Sequence, residues 1–181
     1  MRSVELEVQP WQLVFATGAV RDRLVTALQA EAGAGAPKIP PLPDAFAHKR
    51  FELGAQMFGA MGIARDDSEG RRIAILHNWE FFGAPLAGVV CMHRALGLVD
   101  GVGVGMFLQT LLLALTARGL GTCVQASIAG YPEIVREELD IPAELTILCG
   151  LAVGYPDPSA PINSLRTPRD SIDGHVTFIE H

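Results

Sequence analysis

Apolar positions recur along this chain with two spacings, and the switches between them divide it into elements. Residues 12–17, QLVFAT, are β-branched and aromatic and follow Pro10, which suits the start of a strand. In 19–32, Val20, Leu24, Ala27, Leu28 and Ala32 fall near helical spacing. The stretch 33–43, GAGAPKIPPLP, is a Gly/Pro connector without regular structure. Asp44 is placed to cap a helix through 45–63, and the acidic start at 66–69 opens another that ends near Asn78. WEFFGAP (79–85) reads as an aromatic turn and LAGVVCM (86–92) as a short apolar strand. TCVQ (122–125) is a strand or an extended turn. A helix starts at Pro132 and closes at Leu139, because Pro142 forbids continuation. LTILCGLAVGY (145–155) reads as a buried strand, 157–170 as an irregular polar tail, and HVTFIE (175–180) as a last edge strand.

Between Asp100 and Gln125 lies the stretch on which the rest depends. Asp100 is expected as N-cap, glycines stand at 101, 103 and 105, and the chain is then apolar almost all round from Met106 to Ala117. Arg118 suits the C-terminal dipole and Gly119 the helix stop. A helix apolar on every side needs burial on every side. Three burials are open: a core helix, a core helix that also packs on a second subunit, and a membrane span. Three glycines at one end and one flanking cation fit the last poorly. Helices and strands mix without βαβ alternation, which favours α+β over a doubly wound sheet.

Charge and cysteine usage narrow the function. The chain has 181 residues, 20 acidic against 14 basic, for a net charge of −6, with no Lys/Arg stripe, so a nucleic-acid partner is not expected. Its length is that of one domain with a good core. Cys91, Cys123 and Cys149 lie far apart in apolar surroundings and read as free core thiols of a cytoplasmic protein. MRSVELEVQPW has no apolar signal core, so no export is expected. There is no GxSxG elbow, no HExxH and no P-loop. The five histidines have no ligand spacing with the cysteines, so no metal is expected. GVGVG is followed by Met106 and misses the dinucleotide fingerprint. No catalytic nucleophile or acid–base pair stands out.

Several remaining pieces gain meaning from their order: QPW at 9–11, FFGAP at 81–85, GLGTCVQAS at 119–127, GYPEIVREEL at 130–139, LCGLAVGYP at 149–156 and N-x-x-R-x-x-R at 163–169. In this succession, from Gln9 to Ile179, they resemble the nitroreductase family of flavin-dependent oxidoreductases. The resemblance implies an α+β sandwich, with a central, mostly antiparallel sheet flanked by helices and a buried central helix. It implies an intertwined homodimer holding FMN. NADH or NADPH would give hydride to the flavin, which passes it to a nitroaromatic, quinone or similar small acceptor in a ping-pong cycle. Such chemistry needs a hydrogen-bond donor at flavin N5 and an open ring face rather than a nucleophile.

By the same resemblance, Gln125, Ala126 and Ser127 present backbone N–H groups to N5. Arg166 and Arg169 meet the FMN phosphate, for which a guanidinium fork is suited. Gln9, Pro10 and Trp11 line the site, and Phe81 and Phe82 wall the substrate pocket. The plainer readings stay open at this point: an ordinary loop at 125–127, a solvated tail for the arginines, and core aromatics for Trp11, Phe81 and Phe82. Members of the family normally open with an Arg-Arg-Ser-x-Arg segment, a helix and a turn ending in Asn-x-Gln-Pro-Trp. Here QPW begins at residue 9, Arg2-Ser3-Val4 only echoes that opening, and Glu7 falls on the Asn. The expectation is a single N-terminally shortened domain over 1–181. It is either an active enzyme or, as the alternative, a dimeric non-catalytic remnant or ligand-binding module with weak or no FMN binding.

Overall fold

A computed structural model describes residues 8–179. Arg2-Ser3-Val4, Glu7 and the end of the expected final strand lie outside the described residues. The elements are β1 (Trp11–Ala16), α1 (Gly18–Gly33), α2 (Asp44–Ala60), α3 (Ser68–Leu76), β2 (Leu86–His93), α4 (Leu98–Thr116), β3 (Gly121–Gln125), α5 (Pro132–Leu139) and β4 (Leu145–Gly154). Short 3-10 segments occupy His77–Gly83, Ala126–Gly130, Pro161–Ser164 and Ile172–Gly174. The chain divides into two compact units. The first takes the residues up to Pro41 together with Glu69–Pro156, and the second Leu42–Ser68 together with the residues from Asp157 onward.

The first unit is built on one antiparallel sheet in the order β1-β2-β4-β3. The α+β class follows, as expected. β2 and β4 are central and shed water from both faces, which is why LAGVVCM and LTILCGLAVG are apolar without alternation. On one face Ala87, Val89, Cys91, Leu145, Ile147 and Ala152 pack with Leu24 and Leu28 of α1, Val135 of α5, Trp79, Phe81 and Ile128. On the other, Val90 and Cys149 pack with Val104 of α4, flanked by Trp11, Leu13 and Leu108.

One irregularity sets which side chains meet. Val90 pairs with Cys149, but Cys91 pairs with Ile147, so β4 takes two steps where β2 takes one. The extra residue, Leu148, is a β-bulge and inverts the facing of everything after it. Gly150 therefore lies under Ile128 and Phe81. A Cβ built there would overlap Ile128 Cγ1, and would stand 3.0 Å from Ile128 Cβ and 3.3 Å from Phe81 Cε1. Only a glycine allows that approach.

Several expectations change. Asp44 does not cap α2 but is its first residue, with Pro43 in the cap position. Asp100 is not the N-cap of α4. Gly97 is, and Asp100 sits three residues inside, where its carboxylate accepts a hydrogen bond from the Gly97 N–H at 2.9 Å. A carboxylate at that position satisfies an orphan donor as well as a cap does. Residues 175–179 form no strand, and the sheet ends at the edge strands β1 and β3. Cys123 is exposed while Cys91 and Cys149 are buried, since β3 is an edge of the sheet. Burial pushes the Cys91 and Cys149 thiols up to about 11.

The last change is the largest. Within this chain α4 buries only Gly103 and Val104. Val99, Val102, Met106 and Leu113 are exposed. Their spacing of three, four and seven puts them on one stripe, opposite the Val104 and Leu108 side that meets the sheet. By length and composition alone the helix is able to cross a membrane.

The second unit holds α2, which has no fully buried residue, and the C-terminal segment. Lys49 Nζ ties it to Asp170, at 2.7 and 2.8 Å from the two carboxylate oxygens. The Lys49 hydrogen bond and charge hold the Asp170 carboxyl below its ordinary value, and the same bond raises Lys49.

Candidate functional site

Two places in the first unit gather the expected residues. The first is where β1 begins beside α4. Val8, Gln9, Pro10 and Trp11 face Gly103, Met106, Phe107 and Thr110 around a cavity of about 300 Å³. The Trp11 indole lies flat on Phe107, with centroids 3.8 Å apart and planes 8° from parallel. One aromatic face of Trp11 is thus already covered, and the residue acts as an apolar wall. Gly103 is buried and leaves room at the floor of the cavity.

The second place is the turn that follows β3. Gln125 and Ser127 are buried, whereas Ala126 between them is exposed. The two polar side chains turn inward to the same residue, Asn78, in the 3-10 segment after α3. Gln125 Nε2 donates to the Asn78 backbone carbonyl at 2.5 Å, and Ser127 Oγ donates to Asn78 Oδ1 at 3.3 Å. Asn78 Nδ2 in turn donates to the Ile75 carbonyl at 2.9 Å. Gln125 Oε1 is buried with no hydrogen-bond partner among the described residues, an arrangement that costs free energy unless a further group meets it. Residue 126 is left as the outward point of a turn whose neighbours are anchored from behind.

Phe81 and Phe82 follow Asn78 and both adopt left-handed backbone, with φ of +52° and +53°. For bulky residues this conformation is strained. Arg21 holds it: Nη2 donates to the Glu80 carbonyl at 2.8 Å and Nε to the Ala84 carbonyl at 3.1 Å, one on each side of the pair. The strain separates the two rings. Phe81 is wholly buried in the core, and Phe82 is half exposed. Of the two, only Phe82 has a surface to offer a ligand.

Arg166 and Arg169 belong to the second unit. Both are exposed, and their guanidiniums rest on neighbouring backbone. Arg166 Nη1 donates to the carbonyls of Asn163 and Leu165, and Arg169 Nη1 to Thr167 and to the Pro168 carbonyl. These are local bonds that leave the other guanidinium nitrogens for an anion. Sequence reasoning missed Asn78, Phe107 and Gly150. An Asn at a helix end before an aromatic turn is the one signal that pointed towards the first.

A profile of the Nitroreductase family matches residues 93–155. The chain is 34% identical to a 4-nitrobenzoate reductase of Pseudomonas putida over 176 residues, covering 94% of this chain and 78% of that one. It is 38% identical over 135 residues to a 4-nitrobenzoate reductase of Nocardioides sp., covering 74% of this chain and 55% of that enzyme's length. The FMN- and NADPH-dependent nitroreductase NfnB from Sphigopyxis sp. strain HMH superposes with a TM-score of 0.88 at 31% identity, over 96% of this chain and 82% of that one. The chain belongs to the nitroreductase family.

Proposed function

We propose that this protein is an FMN-dependent oxidoreductase that takes hydride from NAD(P)H and delivers it to a nitroaromatic, quinone or similar acceptor. We propose that it acts as a homodimer in the cytoplasm. The names of its relatives, 4-nitrobenzoate reductases and an FMN- and NADPH-dependent nitroreductase, support the reaction class. The single observation that carries it in this chain is the turn at 125–127, with Gln125 and Ser127 anchored inward, Ala126 outward and Gln125 Oε1 unpaired among the described residues.

The residues present fit a flavin. A turn held from behind offers fixed N–H dipoles, which a reacting ring nitrogen requires without reorganisation. When bound, FMN supplies the hydride acceptor and donor. The residues assigned to it are Gln125, Ala126 and Ser127 for the ring edge, Gln9, Pro10 and Trp11 for an apolar wall, and Arg166 and Arg169 for the phosphate. The arginines are assigned on their chemistry: two exposed guanidiniums with unused donors suit a dianion. The half-exposed Phe82 ring is assigned to an aromatic acceptor, where an offset stack adds about 0.5–1.5 kcal/mol. The exposed apolar stripe of α4 supports the homodimer, because burying it against a second copy removes four large side chains per subunit from water.

The test is a flavin titration followed by turnover. Purified protein is mixed with FMN and desalted, its visible spectrum is recorded, and NADPH oxidation is followed with 4-nitrobenzoate. Retained flavin bands and acceptor-dependent oxidation are expected. Protein that stays colourless at about 100 μM FMN, a Kd range far weaker than a resident cofactor needs, would overturn the assignment.

A further inference from the structure

Asn78 lies on none of the family-like pieces, yet both polar side chains of the 125–127 turn are fastened to it. We propose that Asn78 is the positioning residue for that turn, and through it sets how tightly oxidised flavin is held relative to reduced flavin. The inference rests on the flavin reading above and adds a residue and a measurable property to it.

The geometry leaves Asn78 little freedom. Its side-chain amide is used at both ends, as donor to the Ile75 carbonyl at 2.9 Å and as acceptor from Ser127 Oγ at 3.3 Å. Its backbone carbonyl takes Gln125 Nε2. The segment around it is fixed as well. Trp79, the next residue, is fully buried and meets the Tyr131 ring edge-on at 5.7 Å, and Phe81 and Ile128 close over Gly150. The 3-10 segment bearing Asn78 and the one bearing Ser127 are therefore packed as a pair, with Asn78 as the polar link. A chain of fixed hydrogen bonds of this kind holds a turn within the few tenths of an ångström that a directed N–H dipole needs.

A donor aimed at N5 favours the oxidised ring, whose N5 accepts a hydrogen bond, over the reduced ring, whose N5 carries hydrogen. Loosening the turn should weaken the oxidised complex more than the reduced one. Loss of one neutral hydrogen bond corresponds to about a tenfold change at most. A tenfold loss confined to oxidised FMN raises the two-electron midpoint potential by about 30 mV.

The experiment compares wild type, Asn78→Ala, Ser127→Ala and the double variant by FMN titration, spectroelectrochemical midpoint potential, and amide hydrogen exchange at 126–128 in the flavin-free protein. Asn78→Ala is expected to raise the FMN Kd about tenfold, to raise the potential by about 30 mV, and to speed exchange at 126–128. Ser127→Ala should reproduce these changes, and the double variant should add little, because one contact cannot be lost twice. A folded Asn78→Ala with wild-type Kd, potential and exchange overturns the proposal while the flavin reading stands. Should Asn78→Ala not fold, Ser127→Ala is read by the same three measurements, and wild-type values in all three overturn the proposal equally. Wild-type protein that binds no FMN overturns both, and this shows before any variant is made.

Discussion

Gly150→Ala should destabilise this protein, although the same change in an unhindered strand would help it. Replacing a strand glycine with alanine ordinarily gains about 0.5–1 kcal/mol, because less backbone freedom is lost on folding. Here the new methyl would overlap Ile128 Cγ1 and stand 3.0 Å from Ile128 Cβ, against a normal carbon contact of about 3.5–4.0 Å. Rotating Ile128 does not relieve it, since the Cβ stays in place at every rotamer and the side chain is fully buried. The segment carrying Ser127 and Ile128 must move. Overpacking of this kind costs about 1–3 kcal/mol, which set against the backbone gain leaves a net loss of up to about 2.5 kcal/mol. For a chain of this size each kcal/mol shifts Tm by about 2–4 °C. Thermal melts of Gly150→Ala should therefore show a drop of up to about 10 °C, and urea melts a lower midpoint. Adding Ile128→Ala should give less than the summed loss, because the two side chains compete for one space. A Gly150→Ala protein that melts at or above wild type would refute the claim that β4 and the 126–130 segment touch through the missing Cβ.

Two further outcomes follow from other parts of the molecule. Leu113→Glu puts a charge into the exposed stripe of α4, and in the proposed homodimer the loss of one leucine per subunit from the interface should raise the dimer Kd at least about 100-fold. Sedimentation equilibrium reads this directly, and an unchanged association state would remove α4 from the interface. Asp170 is depressed in the folded chain, so its pairing with Lys49 is complete above the ordinary carboxylate value and fades as pH falls through the lower folded value. Lys49 is raised, so its share is complete below 10.5 and is lost as pH climbs through the folded value. Lys49→Met should therefore move the Asp170 carboxyl up towards its ordinary value in an NMR titration. An Asp170 that titrates as in wild type would show that the ion pair does not hold the carboxylate.

Much of this fold was legible because its signals are local. Pro132 and Pro142 bracket α5, Gly119 ends α4, and the continuous apolar runs at 86–92 and 145–155 are the two central strands. What stayed hidden depends on pairing across the sequence. Leu148 has the same apolar character as its neighbours, and nothing in LTILCGLAVG marks it as the extra residue. Once β2 is beside it, the bulge decides that Gly150 and not Leu151 faces Ile128. How far α4 is buried within its own chain stayed open for a related reason. Composition reports that a helix shuns water, but not whose surface will cover it. For the candidate site, resemblance proposed the turn at 125–127 and the two arginines but not Asn78, whose hydrogen bonds reach residues 47 and 49 positions away. Phe81 and Phe82 are indistinguishable as letters. The left-handed backbone pinned by Arg21 sends one ring inward and leaves the other half exposed.

The uncovered side of α4 also bears on how the protein is made. Each new copy leaves the ribosome with a 19-residue apolar helix that is long enough to pass for a membrane segment. Until something covers Val99, Val102, Met106 and Leu113, that copy offers the sticky surface that chaperones and proteases survey. In the proposed homodimer, the supply of usable protein is then a race between encounter and triage. Slow synthesis lengthens the solitary phase, and the soluble yield per message should rise with expression rate before it saturates.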